Sequence, residues 1–262
     1  MENIACSSQV KKVHPWAVFV EGIKKWKSVW LKLAALYLLV HLPVESVQAF
    51  AIPKMMKVGI WGVLIGVLRW LIDSWVIASL LLCIKEILNG NSVKLARALK
   101  LPAVSFWRYI LTLLLKGVIL GSISLLGLFL FVGMIMNYTR MANVILGVSV
   151  FGVLVTACVA AAVFLGIRLS LSEIVALAEN DSPASAIKIS FDLIKRHVTG
   201  VLAELFLIII MYIFLLIPFF LLTMRSSQVL IMYQNIIVNS VIVPLTVCII
   251  MILYNRLKEI AE

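Results

Sequence analysis

Charge is scarce in this chain. Only 13% of its 262 residues are Asp, Glu, Lys or Arg, against about a quarter in an ordinary soluble domain. Acidic groups are the scarcer sign, 12 against 23 basic residues, and there are only three histidines and four cysteines. Cys6, Cys83, Cys158 and Cys248 are scattered, three of them in apolar runs, with no CxxC or Cys/His spacing. That excludes a zinc site or a disulfide framework and leaves them as small apolar fillers. No HExxH, Walker A loop or dinucleotide GxGxxG is present, so these metal and nucleotide chemistries have no anchor and no cofactor or metal is expected. The first residues, MENIACSSQVKKVHPW, lack the apolar run of a signal peptide, so the first membrane segment is expected to stay as an anchor.

What is abundant is apolar sequence. Hydrophobic residues make up 63% of the chain and mean hydropathy is +1.13. A soluble fold cannot hide that much apolar surface, so lipid must be the solvent for much of it. Six stretches, near 29–52, 58–84, 107–134, 142–168, 199–222 and 229–254, exceed the roughly 20 residues that cross a hydrocarbon core. The expected fold is all-α, a six-transmembrane-helix integral membrane bundle occupying 1–262 as a single polytopic domain.

The basic residues are distributed unevenly among the connections. The odd-to-even links, PKMMK, NYTRMA and TMRSSQ, are short and carry Lys54, Lys57, Arg140 and Arg225. Arg69 and Lys116 lie within spans, which leaves seventeen of the 23 basic residues on the opposite face. Seventeen against four predicts cytoplasmic termini by the positive-inside bias, and anionic membrane lipid as the partner at that face. Because the charge is interleaved with spans, no nucleic-acid partner is expected.

Short amphipathic segments precede the odd spans. In HPWAVFVEGIKKWK, Trp16, Phe19, Val20, Ile23 and Trp26 share a helical face. In SVKLARALKLPAVSFW, Lys94, Arg97 and Lys100 recur every three residues. In SPASAIKISFDLIKRH, Ile187, Phe191, Ile194 and Val198 form the stripe, with Ser182 as N-cap and Pro183 in the first turn. Trp and Phe beside Lys suit helices lying in the membrane interface. KEI at 85–87, SEI at 172–174 and KEI at 258–260 are spaced by 87 and 86 residues. The period predicts a threefold repeat, 8–87, 92–174 and 182–260, of one interfacial helix plus a membrane hairpin.

Several ionisable residues lie inside the spans. Arg69 and Asp73 straddle the centre of the second, about 3 Å to either side of it. Each costs about 2.5–3.5 kcal/mol there by insertion scales. Gly62, Gly66, Arg69 and Asp73 form one stripe, which is expected to face protein. His41 and Glu45, also four apart, fall at matching depth in the first span. The four make a candidate intramembrane polar network, as either a structural clamp or a substrate or proton site. Lys116 and Glu204 are a second candidate pair, unless Lys116 snorkels to the surface. Asn235 and Asn239 add supporting amides. With His41, Glu45, Arg69, Ser122 and Ser124 they line an outward cavity or make separate interhelical hydrogen bonds. A serine hydrolase using Ser122 or Ser124 with His41 lacks any surrounding motif. Gly117-xxx-Gly121 and ACVAAAVFLG at 157–166 are expected to pack tightly.

The stretch SLSEIVALAENDSPASAIKISFDLIKRH, 170–197, resembles a group of bacterial membrane proteins that includes the membrane domain of glycerophosphoryl diester phosphodiesterases. The resemblance rests on Glu173 closing a span, then Asn180-Asp181-Ser182-Pro183, then Ala186, Ser190 and a basic end. A fainter echo lies at KEILNGNSVKLARALK. The resemblance implies a bacterial inner-membrane protein with a linker joining pairs of spans, lipid-related in role. The shared motif is not catalytic, so phosphodiesterase activity is not carried over. Two functions are therefore in play: transport or lipid and envelope handling at a polar midplane site, or a non-catalytic scaffold or accessory subunit.

Overall fold

Pro15 opens the first helix. His14 is extended (φ −90°, ψ 103°) and Pro15 takes the first helical position, where its missing N–H leaves nothing unsatisfied. From there α1 runs unbroken over Pro15–Ser46, through Pro43. The computed structural model describes residues 14–47, 59–91, 102–137, 144–195, 197–223 and 228–261. The elements that follow are α2 (Gly59–Leu88), α3 (Ala103–Asn137), α4 (Val144–Arg168), α5 (Ser172–Ala178), α6 (Pro183–Lys195), α7 (Val198–Thr223) and α8 (Gln228–Ala261). Six helices are long and apolar enough to cross a membrane, and no strand occurs among the described residues. The chain is an all-α, multi-pass integral membrane protein. Cys6, the link residues 53–57, 138–142 and 224–227, and the basic Lys94–Lys100 segment lie outside the described residues.

The helices fall into two compact units, one built on α1, α7 and α8, the other on α2 to α6. In the first unit α1 and α8 pack antiparallel along their length. Near the start of α1, Glu21 takes Arg256 Nη2 at 3.0 Å. At its end, Ser46 Oγ meets the Tyr233 hydroxyl at 3.4 Å. Between them Gly22 lies against Ile249, and Cys248 Sγ approaches the Gly22 carbonyl at 3.7 Å. Leu33, Leu36 and Tyr37 of α1 are buried, as are Ile242, Ile249 and Met251 of α8. Cys248 acts here as the expected apolar filler.

This pairing changes the reading of the first amphipathic segment. Instead of a separate helix, residues 15–27 are the first half of α1. Thirty-two residues make a rod of about 48 Å, longer than a hydrocarbon core of about 30 Å. No Gly–Pro or turn sequence stands between Trp26 and Leu33 to break it. The buried face is Val18, Phe19 and Gly22, while Trp16 is 63% exposed.

In the second unit α2 ends in a Schellman motif. Gly90 has φ +80°, its N–H bonds the Ile87 carbonyl at 3.1 Å, and the Asn91 N–H bonds the Glu86 carbonyl at 2.9 Å. Helix α4 stops at Arg168, and a turn through Leu169–Leu171 starts α5, whose Ile174, Val175, Ala176 and Leu177 are all buried. Asn180, at φ 58°, provides the left-handed turn after α5. Ser182 Oγ then accepts from the Ser185 N–H at 3.3 Å, and Pro183 begins α6, as expected. The buried stripe of α6 is Ala186, Ser190 and Ile194, rotated from the expected Ile187–Phe191 line. Small side chains bring α6 close enough for Ser190 Oγ to donate to the Arg168 carbonyl at 2.8 Å. Val198 belongs to α7.

The Gly22 contact generates a test. A methyl group at residue 22 would stand 2.5 Å from Ile249 Cγ1 and 3.1 Å from Ile249 Cα, so side-chain rotation alone does not relieve it. Gly22→Ala is expected to destabilise by about 1–3 kcal/mol, as overpacking does. Combined with Ile249→Ala it should lose less than the sum of the single changes. Additive losses in detergent-solubilised thermal unfolding would remove this contact from the account.

Candidate functional site

Two polar regions stand out in the second unit. The first is the middle of α2. Arg69 Nε and Asp73 Oδ2 are 3.9 Å apart, and their side chains are 42% and 38% exposed. The four-residue spacing puts them on one helical face, as the sequence predicts. Helix α2 changes character at this pair. Trp61, Val63, Leu64, Val67 and Leu68 before it are exposed, whereas Ser74, Val76, Ala78, Ser79 and Leu80 after it are buried. Gly66 has nothing within 4 Å of where a Cβ would stand. The outer half of the stripe thus departs from the expected protein-packed face: the glycine that would admit a backbone is exposed.

The second region surrounds α5. Lys116, in α3, donates to Glu173 Oε1 at 2.7 Å, and both side chains are about four-fifths buried, at 21% and 20% exposure. Lys116 is thus paired within its own unit, while Glu204, its expected partner, belongs to the other unit. The reason is local: the turn after Arg168 starts a new helix, and its first turn brings Glu173 against α3. Lys85, in the last turn of α2, donates to the Ala178 carbonyl at 2.5 Å. Arg108 Nη1 donates to the Asn180 carbonyl, and Ser105 Oγ reaches Asn180 Oδ1 at 3.5 Å. Three cations from two helices thus hold one seven-residue helix and the turn after it. Sequence reasoning counted Lys85 and Arg108 only as topology charges. The available signal was a Glu beside a short buried segment ending in Asn, whose uncovered carbonyls need donors.

The remaining candidates are placed as follows. His41 is buried in α1 and stacks on Tyr37, with ring centroids 4.0 Å apart. Glu45 is half-buried one turn further along. His41 and Glu45 belong to the first unit, and Arg69 and Asp73 to the second. Glu204 on α7 is wholly buried, and neither carboxyl oxygen has a hydrogen-bond partner among the described residues. Asn235 is exposed and Asn239 half-buried on α8. Ser122 Oγ and Ser124 Oγ donate to the carbonyls of Ile119 and Leu120, both at 2.9 Å. These are back-bonds within their own helix, not the geometry of an activated nucleophile. Gly117 and Gly121 face open space, whereas Gly127 takes the close contact, 3.2 Å from Cys158 Cβ in α4. Among the described residues no group of three His, Cys, Asp or Glu is arranged to hold a metal.

The chemistry available is that of binding: a half-exposed intramembrane ion pair, a buried carboxyl, and a set of cations committed to carbonyls. Comparison of the chain with family models, with characterised proteins and with solved structures returns no match.

Two measurements check these assignments. Removing one partner of a buried ion pair costs about 3–5 kcal/mol, while replacing both with apolar groups is near neutral. Lys116→Met or Glu173→Leu alone should therefore lower the unfolding midpoint strongly, and the double variant should recover most of it. Equal, additive losses would dissolve the pair. For Glu204, an unpartnered buried polar group costs about 1–3 kcal/mol. Glu204→Leu should unfold at or above the wild-type temperature, and a marked drop would reveal a partner for the carboxyl.

Proposed function

We propose that this protein handles a polar-headed lipid or a small charged solute at the Arg69–Asp73 pair of α2. The observation that carries the reading is the exposure of that pair, about two-fifths of each side chain, in the middle of a membrane-spanning helix. Ionisable residues inside a span mark functional sites by default, and this pair presents both charge signs at the surface of its unit. A headgroup or solute that offers both an anion and a cation, or hydrogen-bonding hydroxyls, matches Arg69 and Asp73 together. The seventeen-to-four basic asymmetry and the resemblance to lipid-related membrane proteins support a bacterial inner-membrane location with both termini cytoplasmic.

One observation favours the second function, an accessory or scaffold subunit. Gly66, Gly117 and Gly121 all face open space, and small residues of this kind admit another helix closely. In that reading the exposed charges meet groups of a partner protein rather than cargo.

The test is ligand retention. Protein purified in mild detergent is extracted, and co-purifying lipids and solutes are identified by mass spectrometry for wild type and Asp73→Asn. The transport or lipid-handling reading expects one species held in near-stoichiometric amount by wild type and reduced about tenfold or more by the variant, the loss of about 1.4 kcal/mol of binding. Identical retention in a folded variant counts against this site, and co-purification of a stoichiometric protein instead would favour the accessory subunit.

A further inference from the structure

Arg168, the last residue of α4, is held differently from the other basic residues of its unit. Its guanidinium carbon lies 4.5 Å from the centroid of the Phe164 ring and 4.2 Å from that of Phe191. Phe164 is one turn earlier on α4, and Phe191 projects from α6. The backbone is fixed too, because Ser190, next to Phe191, donates to the Arg168 carbonyl at 2.8 Å. Aromatic rings against the guanidinium hold its plane in place and leave the N–H edge for hydrogen bonding.

Part of that edge is buried and meets no acceptor among the described residues. Arg168 Nε is buried with no hydrogen-bond partner. The described ion pairs join Arg69 to Asp73, Lys116 to Glu173, and Arg256 to Glu21 and Glu259, and none includes Arg168. Two residues further on, Ser170 Oγ is also buried without a partner. A buried donor left unmet is uncommon in a native structure and calls for a ligand. The exposed charges around Phe191 on α6 are Lys188, Asp192 and Lys195, a net positive set that favours an anion. Phe164 is 45% exposed, so the site reaches the surface of the unit along an apolar ring.

We propose that Arg168 anchors a phosphate-binding site where α4 ends, with Ser170 contributing its hydroxyl and with Phe164 and Phe191 setting the plane of the guanidinium. The planar fork of N–H donors matches two phosphate oxygens, which a point-charge ammonium does not reproduce. The exposed Phe164 ring favours a lipid headgroup over a free ion, because an acyl chain can lie beside it. This site is separate in residues and chemistry from the α2 pair and stands whether or not that pair handles cargo.

The test uses the full-length protein, delipidated in detergent and titrated separately with short-chain phosphatidylglycerol, diacylglycerol and inorganic phosphate, with binding read by native mass spectrometry. Wild type is expected to take up one phosphatidylglycerol in preference to diacylglycerol, and Arg168→Gln to weaken that first event about tenfold, the scale of a lost charge-assisted fork. Arg168→Lys, which keeps the charge but loses the fork, should weaken it nearly as much. Inorganic phosphate binding to wild type as tightly as the lipid, and lost in the same variants, supports the phosphate chemistry with the free ion as its source. Equal affinity for phosphatidylglycerol in wild type and Arg168→Lys would overturn the proposal, as would equal uptake of diacylglycerol by wild type. Should Arg168→Gln fail to fold, Arg168→Lys alone decides it.

Discussion

Where a helix ends it uncovers carbonyls, and the ends of α2, α4 and α5 meet that demand within the second unit. The last four carbonyls of every helix lack an intrahelical partner, and a buried carbonyl left unmet costs about as much as a lost hydrogen bond. Helix α2 meets the requirement with backbone alone, through Gly90 and the Schellman bonds to Ile87 and Glu86. The α4–α5–α6 connection uses side chains: Ser190 for the Arg168 carbonyl, Lys85 for Ala178 and Arg108 for Asn180. Only with those ends closed can a helix as short as α5 be buried, since seven residues are too few to be stable alone. Lys116 then compensates Glu173, the charge in the first turn of that helix.

The pairing of α1 with α8 rests on a different quantity. Between helices in lipid there is little hydrophobic drive, because acyl chains are as apolar as leucine; dispersion and close fit replace it. Gly22 is where the fit is tightest, with Ile249 filling the space a side chain would take. Polar contacts occur at both ends of the pair, Glu21–Arg256 and Ser46–Tyr233, and set its antiparallel register.

Much of this was legible in the sequence wherever the signal is local. Hydropathy located six spans, the four-residue spacing of Arg69 and Asp73 put them on one face, and Ser182–Pro183 marked the start of α6. What was not legible depended on elements meeting in space. The segment from Trp16 to Trp26 has the pattern of an interfacial helix, but pattern does not say where a helix stops, and nothing after Trp26 stops this one. Lys116 was matched to Glu204 by depth, but its partner was decided by the turn at Leu169–Leu171. Glycine spacing pointed to Gly117 and Gly121, while the contact falls on Gly127, because a GxxxG pattern specifies a face without specifying what covers it.

The arginines show how a basic excess that reads as one topological signal divides by duty. Arg256 bridges α8 to α1 through Glu21 and also meets Glu259 on its own helix. Arg108 is committed to a backbone carbonyl. Arg69 pairs along its own helix and remains two-fifths exposed. Arg168 has its guanidinium carbon against two rings, Phe164 and Phe191, with a buried N–H that no described residue meets. An arginine whose donors are consumed by the fold adds stability and loses its capacity to recognise a ligand. By that criterion Arg168, whose buried Nε meets no acceptor among the described residues, keeps a capacity that Arg108 and Arg256 have given over to the fold.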